Sequence, residues 1–130
     1  MSAVHAMTDV TGFGLLGHAL EVARGSNVAL AVRFDDLPFL TDAQHLAQQN
    51  FVTGASIRNW ASYAESVDLP ASVAEWQRHL LTDPQTSGGL LVACDHSRAA
   101  EVTKMIADGG YPHARIIGRV VSGQPTIAIE

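Results

Sequence analysis

Apolar residues recur at helical spacing near the start of the chain. Leu15, Leu16, Ala19, Leu20, Val22 and Ala23 predict a helix over 14–24, ended by Gly25 and turned by Ser26-Asn27. The period then changes to two. Val28, Leu30, Val32 and Phe34 alternate with small Ala29 and Ala31, which predicts a strand over 28–34 with a second face able to take a helix closely. Asp35 through Pro38 reads as a loop. Thr41 caps a short expected helix over 42–49, with Ala43, Leu46 and Ala47 inward. Phe51 to Ala55 is a connection carrying Gly54. Ile57, Trp60, Ala61 and Ala64 predict a helix over 56–66, and beyond Pro70 the positions of Val73, Trp76 and Leu80 predict another over 71–80. Leu90 to Cys94 is an uninterrupted apolar run that reads as a central strand. A helix over 98–107 follows, capped by Asp95 or Ser97, with Ala99, Val102, Met105 and Ile106 inward and Gly109-Gly110 as its stop. Strands over 114–121 and 126–129 close the chain, joined across 122–125 as an expected hairpin. There are no internal repeats or low-complexity tracts. The order predicts an α+β, layered α/β domain: a mixed sheet of about four strands covered by helices.

Two polar stretches interrupt this pattern. The first is Thr8-Asp9-Val10-Thr11-Gly12-Phe13-Gly14, which runs straight into the first helix. Closely spaced glycines let a backbone approach a ligand, and a helix start offers N–H groups and a positive dipole end that suit phosphate. Asp9 repels a bare phosphate, so the combination makes best sense with a divalent cation between them. Mg²⁺ is commonly held by one or two carboxylates plus phosphate oxygens. Gly12, Gly14 and Gly17 also fit G-x-G-x-x-G, and Asp35 and Asp36 lie near where a ribose-binding acid would sit. That motif needs a buried strand ahead of it. His5, Thr8, Asp9 and Thr11 interrupt the apolar residues of 1–11, so no such strand is expected. The glycines alternatively serve only a tight turn and close helix packing. The second stretch is Thr82-Asp83-Pro84-Gln85-Thr86-Ser87-Gly88-Gly89, lying between a helix and a strand. Ser87-Gly88-Gly89 can form a backbone nest for an anion. Its polar side chains can equally well satisfy the loop's own backbone. Arg58 and Asn59, beside Gly54, either reach a phosphate or form a solvated helix start.

Composition narrows the chemistry. The 130 residues suffice for one domain, and 47% hydrophobic with 16% charged residues indicates a globular chain. Net charge is −5, from 8 basic and 13 acidic residues, with no basic cluster, so nucleic-acid binding is not expected. No apolar run reaches the ~20 residues of a membrane span, and no secretory signal is visible. One cysteine, Cys94, leaves no internal disulfide and suits a reducing cytosol; it reads as a buried thiol. The histidines are scattered without zinc-binding spacing, and His18 reads as a packing residue. Trp60 and Trp76 belong to the core. No nucleophile with a partnered base can be assembled, so no catalytic residue is assigned. One aspartate is a poor magnesium site by itself.

The two stretches nevertheless carry a family resemblance. His5-Ala6-Met7-Thr8-Asp9-Val10-Thr11-Gly12-Phe13-Gly14-Leu15-Leu16-Gly17-His18 resembles the opening of the C-terminal domain of the selenophosphate synthetase (selenide, water dikinase) family. Trp76-Gln77 with the run from Leu80 to Leu91, and Arg58-Asn59-Trp60-Ala61-Ser62-Tyr63, resemble two further stretches of that family, in the right order. The D-x-T-G-x-G pattern alone is shared by the wider superfamily of aminoimidazole ribonucleotide synthetase, thiamine-monophosphate kinase and hydrogenase-maturation proteins. Another ATP-dependent member, or a non-catalytic binding module, is therefore the alternative.

The resemblance implies the C-terminal domain fold of aminoimidazole ribonucleotide synthetase, partly ferredoxin-like. It implies an enzyme that makes selenophosphate, AMP and phosphate from ATP, selenide and water in the cytoplasm, as a homodimer at full length. Asp9 matches the family aspartate that helps hold Mg²⁺ against ATP. Thr8, Thr11, Gly12 and Gly14 with Thr86, Ser87, Gly88 and Gly89 would border the phosphates. The family's N-terminal, ATP-binding half is not in these residues. It carries the reactive cysteine or selenocysteine, a nearby lysine, further metal-binding aspartates and the main dimer surface, and Cys94 does not correspond to that reactive residue. Since Met1-Ser2 stand just ahead of the motif, residues 1–130 are expected to be a piece of a longer enzyme. Alone it should not be a competent dikinase, and apolar surface near 1–16 should be exposed.

Overall fold

The computed structural model describes residues 3–130. Strand β2 (Ala29–Val32) lies inside a mixed sheet, where Leu30, Ala31 and Val32 are all buried. A strand covered on both faces tolerates apolar residues at every position. Strand β5 (Gly118–Val121) pairs with β2 antiparallel on one side, and β6 (Ile127–Ile129) pairs with it parallel on the other. The short β3 (Val67–Asp68) adds parallel to β6, which gives the order β3-β6-β2-β5.

Helix α1 (Gly14–Ser26) lays Leu16, Ala19, Leu20 and Ala23 against this sheet. Asn27, at φ 52°, closes it in the left-handed conformation, so the helix runs on through Gly25. Helices α3 (Gly54–Tyr63) and α4 (Glu75–Thr82) pack on α1, while α2 (Ala43–Gln48) packs on α4. Leu16, Leu20, Leu81 and Ile127 are fully buried where these layers meet. Each contributes roughly 1.5–3 kcal/mol of burial. Trp60 and Trp76 pack on the rim of this core, as expected of them. Outside it, β1 (Val4–Asp9) and β4 (Leu90–Cys94) form a two-stranded antiparallel ribbon, with Asp9 opposite Leu90. Helix α5 (Ala99–Asp108) follows the ribbon.

Several sequence expectations are corrected here. Residues 4–9 do form a strand. Val4, Ala6 and Thr8 are half-buried and His5, Met7 and Asp9 exposed, so the polar residues that seemed to interrupt a strand alternate along one. Met1 and Ser2 lie outside the described residues. The apolar run at 90–94 is not a central strand: among the described residues it has one partner strand, and Leu90 is exposed. The strands flanking 122–125 do not pair as a hairpin, because β5 and β6 lie on opposite sides of β2. Helix α3 starts earlier, where the Thr53 hydroxyl accepts from Ser56 N–H at 3.1 Å. It turns Ser56 and Tyr63 inward and leaves Ile57 and Ala61 exposed. Helix α4 begins at Glu75 and runs to Thr82, with His79, Leu81 and Thr82 buried. Asp42, not Thr41, precedes α2, and Leu46 is exposed. A 3-10 turn, His96–Arg98, separates Asp95 from α5, which has no fully buried residue; Met105 is exposed.

Candidate functional site

Strand β1 delivers Thr8 and Asp9 to its end, and the chain then turns through Thr11–Phe13 into α1. Val10, buried at that turn, donates its N–H to Gly89 O at 2.9 Å. Thr11 O accepts from Gln85 N–H at 2.9 Å and from Gly14 N–H at 3.1 Å. Gly88 lies so close that a Cβ there would stand 1.8 Å from Val10 O. The two polar stretches are thus stitched together along their backbones. Thr8, Asp9, Thr11, Gly12 and Gly14 and the residues Thr86 to Gly89 belong to one region of the molecule.

Side chains from α3 fasten the same junction. Asn59 Nδ2 donates to Gly12 O at 2.9 Å and to Thr82 O at 3.0 Å, one amide bridging the two stretches. Its protons therefore face the protein backbone. Tyr63 OH donates to Phe13 O at 2.8 Å. Burial pushes its phenol well above the usual tyrosine value, and the backbone N–H of Gly17 partly offsets this. Thr53 Oγ1 donates to Asp83 Oδ1 at 3.2 Å, and the buried hydroxyls of Ser56 and Thr82 meet at 2.6 Å. Asn59→Ala leaves two carbonyls short of a donor. It is expected to lower unfolding free energy by about 1–3 kcal/mol, read as an earlier midpoint in urea.

These contacts bear on the open alternatives. Gly14 meets the Thr82 backbone, and a Cβ on Gly17 would come within 2.5 Å of Phe13 Cβ and 3.1 Å of Tyr63 Cε1. Strand β1 is antiparallel to its neighbour, and Asp36 is paired with Arg33. The glycine spacing serves helix packing here and does not sit in a dinucleotide-binding βαβ unit. Thr86 and Ser87 are exposed, and among the described residues nothing hydrogen-bonds their hydroxyls. Their loop is held by backbone contacts and by Asp83, so these hydroxyls are left facing solvent.

Asp9 is exposed, and among the described residues no side chain bonds or pairs its carboxylate. A hard cation prefers such an oxygen ligand. Among the described residues no group of three His, Cys, Asp or Glu side chains gathers as a metal site. Asp9 by itself leaves a divalent cation short of protein ligands. Cys94 is half-buried and free, in the ribbon.

A hydroxyl–imidazole–carboxylate chain also lies at the turn. Thr11 Oγ1 is 3.0 Å from His18 Nε2, and His18 Nδ1 is 2.9 Å from Glu21 Oε2. His18 is buried as expected, yet it is bonded at both nitrogens. Sequence reasoning missed this chain, along with the Asn59 clasp and the Tyr63 bond. The His18–Glu21 spacing of three on a helix was a visible signal; the reach of Thr11 across the turn was not.

The family model described as AIR synthase related protein, C-terminal domain, matches residues 1–129. The chain belongs to this family. Its relatives include the selenide, water dikinase of Rhizobium meliloti (strain 1021), 53% identical over 97% of this chain and 36% of that protein. Those of Pseudomonas straminea and Paraburkholderia xenovorans (strain LB400) are 50% and 51% identical, each over 99% of this chain and 36% of the relative. The chain spans about a third of the length of the curated relatives it matches. The family's α+β layering agrees with the helices and mixed four-strand sheet of the fold. Among the described residues no helix is long and apolar enough to cross a membrane.

Proposed function

We propose that residues 1–130 are the C-terminal domain of a selenide, water dikinase, the enzyme that makes selenophosphate, AMP and phosphate from ATP, selenide and water. The observation that carries this reading is the joining of the 8–14 and 82–89 stretches beside a carboxylate, Asp9, that no side chain pairs among the described residues. In this reading Asp9 supplies one oxygen ligand to Mg²⁺. Thr8, Thr11, Gly12 and Gly14 form one wall beside the ATP phosphates, and Thr86, Ser87, Gly88 and Gly89 form the other. Mg²⁺, when bound, supplies charge neutralisation on the phosphoryl groups. The domain's own work is positioning: a rigid backbone junction presents hydroxyls and N–H groups without a further ordering cost.

The remaining metal ligands, the nucleotide pocket and the reactive residue come from an N-terminal half. The shared name of the relatives supports this chemistry over thiamine-monophosphate kinase-like or hydrogenase-maturation-like activity. Exposure of Met7 (60%), Phe13 (55%) and Leu90 (66%) around the junction supports a covering half there. The full enzyme is then a cytoplasmic homodimer.

Complementation in trans tests the reading. The chain is mixed with a separately expressed N-terminal half, and selenide-dependent AMP formation from ATP is followed. Activity is expected only when both are present. Turnover by this chain alone, or none from a mixture that demonstrably associates, would overturn it.

A further inference from the structure

His18 is 7% exposed, and Phe13 lies over it with ring centroids 5.7 Å apart. The Glu21 side chain, by contrast, is more than half exposed, at 55%. Both nitrogens of this buried imidazole have hydrogen-bond partners, Thr11 and Glu21. The carboxylate of Glu21 can only accept, so Nδ1 carries the proton. With that as the ring's one proton, Nε2 is an acceptor. The hydrogen in the 3.0 Å contact therefore belongs to Thr11. A threonine hydroxyl has one proton, and here it is committed to His18. What Thr11 still offers outward is lone pairs.

We propose that Glu21 holds His18 as the singly protonated Nδ1–H tautomer and that His18 thereby fixes the Thr11 hydroxyl as an acceptor, a positioning role in which Thr11 receives a hydrogen bond from a water carried by the cation and makes no direct contact with phosphate. The proposal rests on the reading of the two stretches as a Mg-ATP site, and it specifies what Thr11 does there. Mg²⁺ usually keeps several of its waters. Those waters are donors, whereas phosphate oxygens are acceptors and are mismatched to a hydroxyl whose proton is already used. The hydroxyls of Thr86 and Ser87 have no bonding partner among the described residues, so they remain free to donate, whereas the Thr8 hydroxyl donates to Asp9 O at 3.3 Å.

Ring-¹⁵N histidine NMR of the chain at neutral pH reads the first half of this directly. His18 is expected as the Nδ1-protonated tautomer, with a slowly exchanging Thr11 hydroxyl proton. An Nε2-protonated or doubly protonated ring would overturn the proposal. In the two-half enzyme, Thr11→Val and His18→Phe are each expected to raise KM for Mg-ATP about tenfold, with kcat within about threefold. The double variant should be no worse than either single variant, and Thr11→Ser should restore wild-type KM. Glu21→Ala changes an exposed side chain and so avoids a folding defect. It should blur the tautomer signal and raise KM severalfold. Loss of thermal stability without a KM change, or additive losses in the double variant, would reduce His18 to a packing role and overturn the proposal. If the wild-type halves form no AMP, the dikinase reading fails, while the NMR result still decides the direction of the hydroxyl.

Discussion

Gly14→Ala is expected to lower the unfolding free energy by about 2–5 kcal/mol, because two costs fall on one atom. The residue holds φ +71°, a left-handed conformation that costs an L side chain roughly 1–2 kcal/mol. Its added Cβ would also stand 2.7 Å from the Thr82 carbonyl carbon, 2.9 Å from its oxygen and 3.0 Å from Asp83 O. Overpacking of that kind costs roughly 1–3 kcal/mol more. The obstacle is backbone, so no rotamer change relieves it. Relief requires α1 to lift from the end of α4, which opens the core around Leu16, Leu20 and Leu81. Gly12→Ala is the control: it has open space around it and no positive φ. Its effect should stay within about 0.5 kcal/mol. Urea denaturation of both variants decides the matter, and equal midpoints would refute the packing role given to Gly14.

What was legible in the sequence follows from how each element is covered. Helix α1 and strand β2 were readable because each buries a continuous face, so periods of 3.6 and 2 survive in the residues themselves. Strand β1 was not, because its exposed side carries His5 and Asp9 and its alternation resembles an interruption. Strand β3 is two residues long, too short for any period. The two final strands looked like a hairpin because only local sequence was visible; the slot between them belongs to β2, far away in the chain. Ile57 suggested the wrong face of α3, since the inward positions are Ser56 and Tyr63, polar groups buried to bond backbone and hydroxyl partners. The two polar stretches stood out by composition, and the structure places them together. Their fastening did not stand out, because Asn59 and Tyr63 bond main-chain carbonyls, and a carbonyl leaves no signature in sequence.

Asp9→Asn is expected to cut activity of the two-half enzyme at least a hundredfold, a barrier increase of about 2.7 kcal/mol, without destabilising the chain. Asp9 ends β1 opposite Leu90, is exposed, and has no side-chain partner among the described residues, so replacing its carboxylate breaks no internal bond. The change in unfolding free energy should stay within about 0.5 kcal/mol. Asparagine keeps the shape and one oxygen but removes the charge, and the charge is what a hard divalent cation is held by. The sign without metal is opposite. A carboxylate beside phosphate is repulsive, so ATP in the presence of a chelator should bind the variant no worse than the wild type, and slightly better. With Mg²⁺ the variant should need a higher metal concentration for half-maximal activity and recover partly in excess. A loss of ATP affinity that is the same with and without metal would assign Asp9 to the nucleotide itself. Full activity of the variant would remove it from the site.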